Sequence, residues 1–279
     1  MLRVLFSLGL IALFIYIGVG LLLYVTQRSF IYFPQAAPNA QAYDSVMLEV
    51  PDATLQLSVS LNQRQQAMIY FGGNAEQVAL NLPAFSAAFP AHDLYFVHYR
   101  GYGQSSGQPT QAALLKDALA VFDHVQQQSY RHITVVGRSL GSGVATYLAS
   151  ERPVSELSLV TPYNSLLELA QQHYPIYPIK WLLKDKYESW RYAERVTAPV
   201  NMVIATNDRI IPRSSSLALR NHFPPSQVTW HELANTGHND ISHHPDYYAS
   251  LIRLPGKLAP VSQTTPVTPD SDSIHDNSP

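Results

Sequence analysis

The chain contains no cysteine among its 279 residues. That excludes a disulfide framework, a thiol nucleophile and a lipid-modified cysteine anchor. It leaves the redox compartment open, because a chain without thiols is indifferent to it. Charge is also scarce: 14% of residues are charged, and the formal net charge is −2. A nucleic-acid binder needs a basic patch or stripe, and this composition offers none. Nor does the chain carry an internal repeat.

What is present falls into three regions. Residues 1–27 are an apolar start, 28–254 a body large enough for one core, and 255–279 a tail rich in Pro, Ser, Thr and Asp. The tail has too few large apolar residues to offset the entropy of ordering, so disorder is expected there. Val4 to Val25 runs for 22 residues without a charged side chain. As a helix it is long enough to cross a hydrocarbon core of roughly 30 Å. The rival is a cleaved signal peptide, whose apolar region is usually about 7–15 residues. The triplet Ala40-Gln41-Ala42, which fits a cleavage site, lies far beyond the run. A single-pass, uncleaved anchor is therefore expected. Arg3 and the amino terminus flank one side and Arg28 the other, a slight bias that leans towards a body outside the cytoplasm.

Within the body, Val46 to Val50 and Leu55 to Val59 alternate on either side of Pro51 and Asp52, as a hairpin does. Short apolar runs follow at Ala67 to Phe71, Leu94 to Tyr99, Ile133 to Gly137, Leu157 to Thr161, Val200 to Ala205 and Val228 to His231. Most have the β-branched or aromatic character of buried parallel strands. Helical spacing recurs between them: Leu114, Ala118, Val121, Phe122 and Val125 form one stripe, and Ala145, Leu148 and Ala149 belong to another. The alternation predicts an α/β fold, a mostly parallel twisted sheet of about eight strands with helices on both faces. Ligands of such sheets bind beyond the carboxyl ends of the strands.

One of those ends carries Gly137-Arg138-Ser139-Leu140-Gly141, a G-x-S-x-G pattern between a strand and a helix predicted to open at about Ser142. A serine on so tight a turn needs neighbours without side chains. The turn exposes its hydroxyl, and the amides of the following helix favour negative charge beside it. Ser139 is thus a candidate nucleophile; a glycine-rich turn with a capping serine is the plain alternative.

A serine hydroxyl needs a base, and at such an elbow the order along the chain is serine, acid, histidine. Of 11 histidines, His238 stands in the loop after the last strand, where an imidazole can reach over the serine. His243 and His244 resemble a metal pair without the accompanying ligands, His98 ends a strand and His231 lies within one. The loop Thr161-Pro162-Tyr163-Asn164 contains no carboxylate, whereas Thr206-Asn207-Asp208-Arg209 contains one, so Asp208 is the candidate acid. An oxyanion needs two amides. Leu140 supplies one, and the loop Gly72-Gly73-Asn74-Ala75 the other, with Asn74 first and Gly73 as the fallback.

Four blocks in order are specific. Tyr99-Arg100-Gly101-Tyr102-Gly103-x-Ser105-x-Gly107-x-Pro109, the Ser139 elbow, Asn207-Asp208-x-x-x-Pro212 and Gly237-His238-Asn239-Asp240 resemble the single-span, membrane-anchored α/β-hydrolases. That group includes eukaryotic protein depalmitoylases, lysophospholipid lipases and bacterial relatives. The resemblance covers residues 28–253, and Ile31-Tyr32-Phe33-Pro34 resembles the group's connector. It implies an α/β-hydrolase fold and Ser139, Asp208 and His238 as the triad. It also implies Leu140 and Asn74 as oxyanion donors, no metal or cofactor, and acyl esters or thioesters of lipid-like character as substrates. The group's oxyanion loop usually begins His-Gly-Asn, and Gly72 replaces that histidine here, which puts loop rigidity in question. A small lid over residues 163–192 is implied, with Tyr163, Tyr174 and Trp181 as substrate contacts. Its apolar residues either wall an acyl site or simply pack on the sheet. Peptidase or amidase chemistry, and a catalytically silent binding module, are the alternatives.

Overall fold

The computed structural model describes residues 1–36 and 43–252; the tail 255–279 and part of the connector, Pro38 included, lie outside them. Helix α1 (Leu2–Thr26) buries none of its residues. It is long and apolar enough to cross a membrane. A hairpin of β1 (Ser45–Val50) and β2 (Ala53–Ser60) opens the body. It turns at Asp52, whose φ of 65° is one an Asp tolerates. The chain then alternates β3 (Gln66–Phe71), α2 (Leu82–Ala88), β4 (His92–Val97), α3 (Gln111–Gln126), β5 (His132–Arg138), α4 (Leu140–Glu151) and β6 (Glu156–Val160). Three short helices, α5 (Leu166–His173), α6 (Ile179–Leu182) and α7 (Trp190–Ala193), precede β7 (Val200–Ala205), α8 (Arg213–Arg220) and β8 (Val228–Leu233).

The eight strands form one sheet in the order β1-β2-β4-β3-β5-β6-β7-β8. Strand β2 is antiparallel to both neighbours, and from β4 to β8 every pairing is parallel. Successive side chains point to opposite faces, which divides the interior into two layers. Ala67, Ile69 and Phe71 of β3 pack with Leu114 and Val121 of α3 and Val144 of α4. Met68 and Tyr70 pack on the other face with Leu82 and Phe85 of α2 and with Tyr247. Helices therefore cover both faces, as the alternation of runs predicts.

Several boundaries differ from expectation by one or two residues, and two of them bear on the loops around the site. Strand β4 ends at Val97 rather than Tyr99, because the chain turns after the His98 amide bonds the Gln56 carbonyl at 3.0 Å and the Tyr102 amide bonds Tyr99 at 2.8 Å. Helix α4 opens at Leu140 rather than Ser142, since the Ser142 amide and hydroxyl both donate to the Ser139 carbonyl and so belong to the first turn.

Between β6 and β7 the chain leaves the sheet and packs along α1. The Tyr16 and Tyr177 rings stack at 4.7 Å. The Tyr16 hydroxyl donates to the Ile176 carbonyl at 2.8 Å, and the Gln27 side chain bridges the Leu182 carbonyl and the Lys184 amide. Arg28 pairs with the buried Asp185 at 2.9 Å.

Candidate active site

The residues singled out at strand ends converge. Ser139 follows β5, Asp208 follows β7 and His238 follows β8. Ser139 has φ 51° and ψ −118°, a conformation that costs about 1–3 kcal/mol for a residue with a side chain. Its surroundings hold it there: its amide donates to the Val160 carbonyl at 2.9 Å. A side chain at Gly137 would run into the Gly141 carbonyl and Ala145, and one at Gly141 into the Phe71 carbonyl. Gly137 lets α4 close on β5, and Gly141 lets it close on the end of β3, which makes room for the elbow.

His238 Nε2 lies 2.9 Å from Ser139 Oγ, and His238 Nδ1 lies 2.8 Å from Asp208 Oδ2. The other Asp208 oxygen accepts the amides of Ile210 and Ile211, each at 2.8 Å, which fixes the carboxylate. The two side chains are only 8% and 3% exposed, so bulk water does not compete for the pair. The loops carrying them are cross-braced: the Asn207 amide bonds the Thr236 carbonyl at 2.8 Å and the Asn235 amide the Thr206 hydroxyl at 3.0 Å.

The loop after β3 resolves the choice between its two candidates. The Gly73 amide donates to Glu76 Oε2 at 2.6 Å, so it is committed and the fallback is set aside. Among the described residues the Asn74 amide meets no acceptor, and neither does that of Leu140 in the opening turn of α4. Asn74 is pinned on three sides. Its carbonyl accepts from the Tyr102 hydroxyl at 2.6 Å and the Phe33 amide at 3.2 Å, and its side chain donates to the Ile31 carbonyl at 3.0 Å.

Glu76 and Arg138 escaped the sequence reading, and both lie in the site. Glu76 accepts from Gly73, from the Tyr70 hydroxyl at 2.7 Å and from the Asn81 amide, and stands 3.5 Å from Arg138. Arg138 reaches across to the carbonyls of His238 and Asn239 at 3.2 and 3.4 Å. Burial works against the Arg138 charge, yet the Glu76 carboxylate together with the nearby Tyr70 and Tyr247 outweighs it and the guanidinium pKa is raised. Burial, reinforced by Glu76, also keeps the Tyr70 phenol protonated. The pair ties the Asn74 loop to the His238 loop. The available signal was a charge at each place: an Arg inside an otherwise small-residue elbow and a Glu three residues past a glycine pair. Val78 and Glu76 fill the space beside Gly72, so the rigidity that the missing histidine put in question is supplied from within the loop.

A cavity of about 570 Å³ opens above Ser139. Its lining is mostly apolar, with Leu23, Leu169, Tyr177 and Leu182 among the walls. Tyr163 and Tyr174 line it, and the Tyr163 hydroxyl donates to the Leu140 carbonyl at 3.2 Å. Trp181 does not line it: the side chain points outward from α6 and is 80% exposed. The expected substrate contact at Trp181 is therefore corrected, because the one-turn α6 directs Ile179 and Leu182 inward and leaves Trp181 on its outer side.

The parallel sheet, the elbow and the strand-end loops define an α/β hydrolase. A family model described as the alpha/beta hydrolase fold matches residues 66–182. An uncharacterized Mycobacterium tuberculosis protein is 31% identical over 243 residues, covering 80% of this chain and 84% of that one. The chain belongs to the α/β-hydrolase family. It is also 28% identical over 193 residues to the rat lysophosphatidylserine lipase ABHD12, covering 59% of this chain and 48% of the lipase, so it spans about half of that protein. Among solved structures, a Pyrococcus furiosus esterase superposes with a TM-score of 0.63 at 14% identity, over 78% of this chain and 96% of the esterase.

Proposed function

We propose that the chain is a membrane-anchored serine hydrolase that cleaves carboxylic esters or thioesters of lipid-like acyl groups. The hydrogen-bonded series Ser139, His238, Asp208 at the floor of an apolar cavity carries this proposal. His238 takes the Ser139 proton as the hydroxyl oxygen attacks the acyl carbonyl. Asp208 holds the imidazole in the tautomer that presents a bare Nε2 and stabilises the cation it becomes. The Leu140 and Asn74 amides receive the oxyanion. The tetrahedral adduct then collapses, the leaving alcohol or thiol departs with the proton from His238, and an acyl-Ser139 ester is left. Water, deprotonated by the same imidazole, hydrolyses that ester and returns the serine.

The acyl preference is supported by the cavity's apolar lining and by the lipase among the relatives. The anchor is supported by the length and exposure of α1, and the charges at its ends favour a body outside the cytoplasm. Ser139→Ala is expected to lower the turnover of a p-nitrophenyl ester by at least about 10,000-fold while the protein stays folded. A fluorophosphonate is expected to label Ser139 in the wild type. Turnover retained in folded Ser139→Ala would overturn the proposal.

A further inference from the structure

The lid and the anchor share a depth. Arg3 is the last charge before the apolar run, and Leu23 is 23 − 3 = 20 residues further on. At 1.5 Å per residue, that separation spans a hydrocarbon core of roughly 30 Å. Tyr16 lies 23 − 16 = 7 residues short of Leu23, or about 10 Å inside the near boundary. Yet Tyr16 stacks on Tyr177 and hydrogen-bonds Ile176. If α1 crosses the bilayer, the loop 174–183 has to enter it as well.

The loop is built for that place. It reads Tyr-Pro-Ile-Tyr-Pro-Ile-Lys-Trp-Leu-Leu, with Lys180 its one charge. Irregular backbone survives in hydrocarbon only where its polar groups are satisfied. Pro175 and Pro178 have no N–H to satisfy. The amides of Tyr174, Tyr177, Ile179, Trp181, Leu182 and Leu183 meet backbone acceptors, and those of Ile176 and Lys180 meet none among the described residues. The Ile176 and Leu182 carbonyls are capped by Tyr16 and Gln27 of the anchor and its continuation. The outward side chains are those that water would reject: Ile176 is 70% exposed and Trp181 80%. Trp belongs at the boundary between lipid and headgroups, and Lys180 on α6 has a stem long enough to carry its charge back to that boundary.

We infer that residues 174–183 sit in the near leaflet beside α1, continuous with its apolar surface, and that the cavity receives its acyl chain from the leaflet rather than from water. Gly20, Leu23 and Tyr24 of α1 line that cavity, so one wall runs along the bilayer boundary that Leu23 marks, with Gly20 inside it. The substrate class that fits is an amphiphile with its acyl chain already in the membrane. This rests on the anchored-hydrolase reading above and specifies its route of entry.

The test uses the full chain in phosphatidylcholine vesicles with Trp190 and Trp230 replaced by Phe, so that Trp181 reports alone. Flotation with the vesicles, strong quenching by acyl-brominated phosphatidylcholine and weak quenching by iodide are expected. In protein that floats, quenching by iodide and not by the brominated lipid would overturn the inference and leave the anchor standing. Protein that fails to float would refute the anchor itself, and the inference with it. As a second arm, Ile176→Asp is expected to slow hydrolysis of vesicle-dissolved p-nitrophenyl palmitate by at least about tenfold while p-nitrophenyl acetate in water is cleaved within about twofold of the wild-type rate. Unchanged palmitate hydrolysis would count against leaflet entry. Inactivity of the wild type towards both esters would refute the hydrolase reading without touching the quenching result.

Discussion

Glu76 offers the sharpest test of how the site is held. Its carboxylate faces donors on both oxygens: Tyr70 and Asn81 at Oε1, with Arg138 beside them, and the Gly73 amide at Oε2. Glu76→Gln is nearly isosteric, but whichever way its amide is turned, an NH₂ replaces one of those acceptors. Turned one way, it meets the Gly73 N–H; turned the other, it meets Tyr70, Asn81 and the Arg138 charge. Leaving a buried donor unpaired costs about 1–3 kcal/mol. Glu76→Ala also strands Arg138, and removing one partner of a buried pair costs about 3–5 kcal/mol. Both side chains retain about an eighth of their exposure, 13% for Arg138 and 12% for Glu76, so the lower end of that range is expected. Because the adjacent Asn74 amide is the proposed oxyanion donor, loosening the loop reaches the chemistry. Complete loss of such a donor costs about 100- to 1,000-fold in kcat, and partial misplacement is expected to give about 10- to 100-fold. The assay is kcat and KM on p-nitrophenyl acetate together with thermal unfolding in detergent, for both variants. A fall in kcat with KM little changed is expected. Glu76→Gln with unchanged kcat and unchanged Tm would refute the idea that this carboxylate sets the loop.

Three further predictions concern stability. His98 is buried against the Ser58 hydroxyl at 2.9 Å, and burial lowers its pKa from 6.5 to about 4. The unfolded chain therefore binds a proton that the folded one refuses, so this contribution is fully present above about pH 6.5 and is lost as pH falls towards 4. At about 1.4 kcal/mol per unit the loss approaches about 3 kcal/mol; His98→Gln is expected to flatten the denaturant midpoint over that window, and an unaltered slope would assign the effect to other groups. Gly141→Ala drives a methyl group into the Phe71 carbonyl and is expected to destabilise by more than about 3 kcal/mol, read as loss of folded protein. Gly9→Ala in α1 meets nothing within 4 Å and should leave both Tm and turnover unchanged.

Much of this was legible in the amino-acid order because it rests on local rules. Residues 4–25 declare a helix long and apolar enough to cross a membrane through length and the lack of charge. The strands show in short β-branched runs, and Gly137 and Gly141 mark the elbow because no other residue allows the close approach. Ser139, Asp208 and His238 were found from their places after β5, β7 and β8, since the parallel sheet brings all its carboxyl ends to one edge. Other features depended on what lies across space. Asn74 stood first with Gly73 as its fallback, and that the Glu76 carboxylate takes the Gly73 amide is a contact between side chain and backbone that composition does not encode. Trp181 was expected as a substrate contact because it is apolar and stands in the lid that the resemblance implies. A four-residue helix has an inside and an outside, and only its packing in the fold, against α5 among others, chose between them. The bridge from Glu76 through Arg138 to the His238 loop joins residues up to 163 positions apart, 239 − 76, and no local pattern announces it. The order of residues by itself determined the elements, the elbow and which side chains stand at the carboxyl edge of the sheet. The tertiary structure alone decided which amide remains free, which residues between β6 and β7 face the cavity and which of them pack along α1, because each depends on packing between segments far apart in the chain.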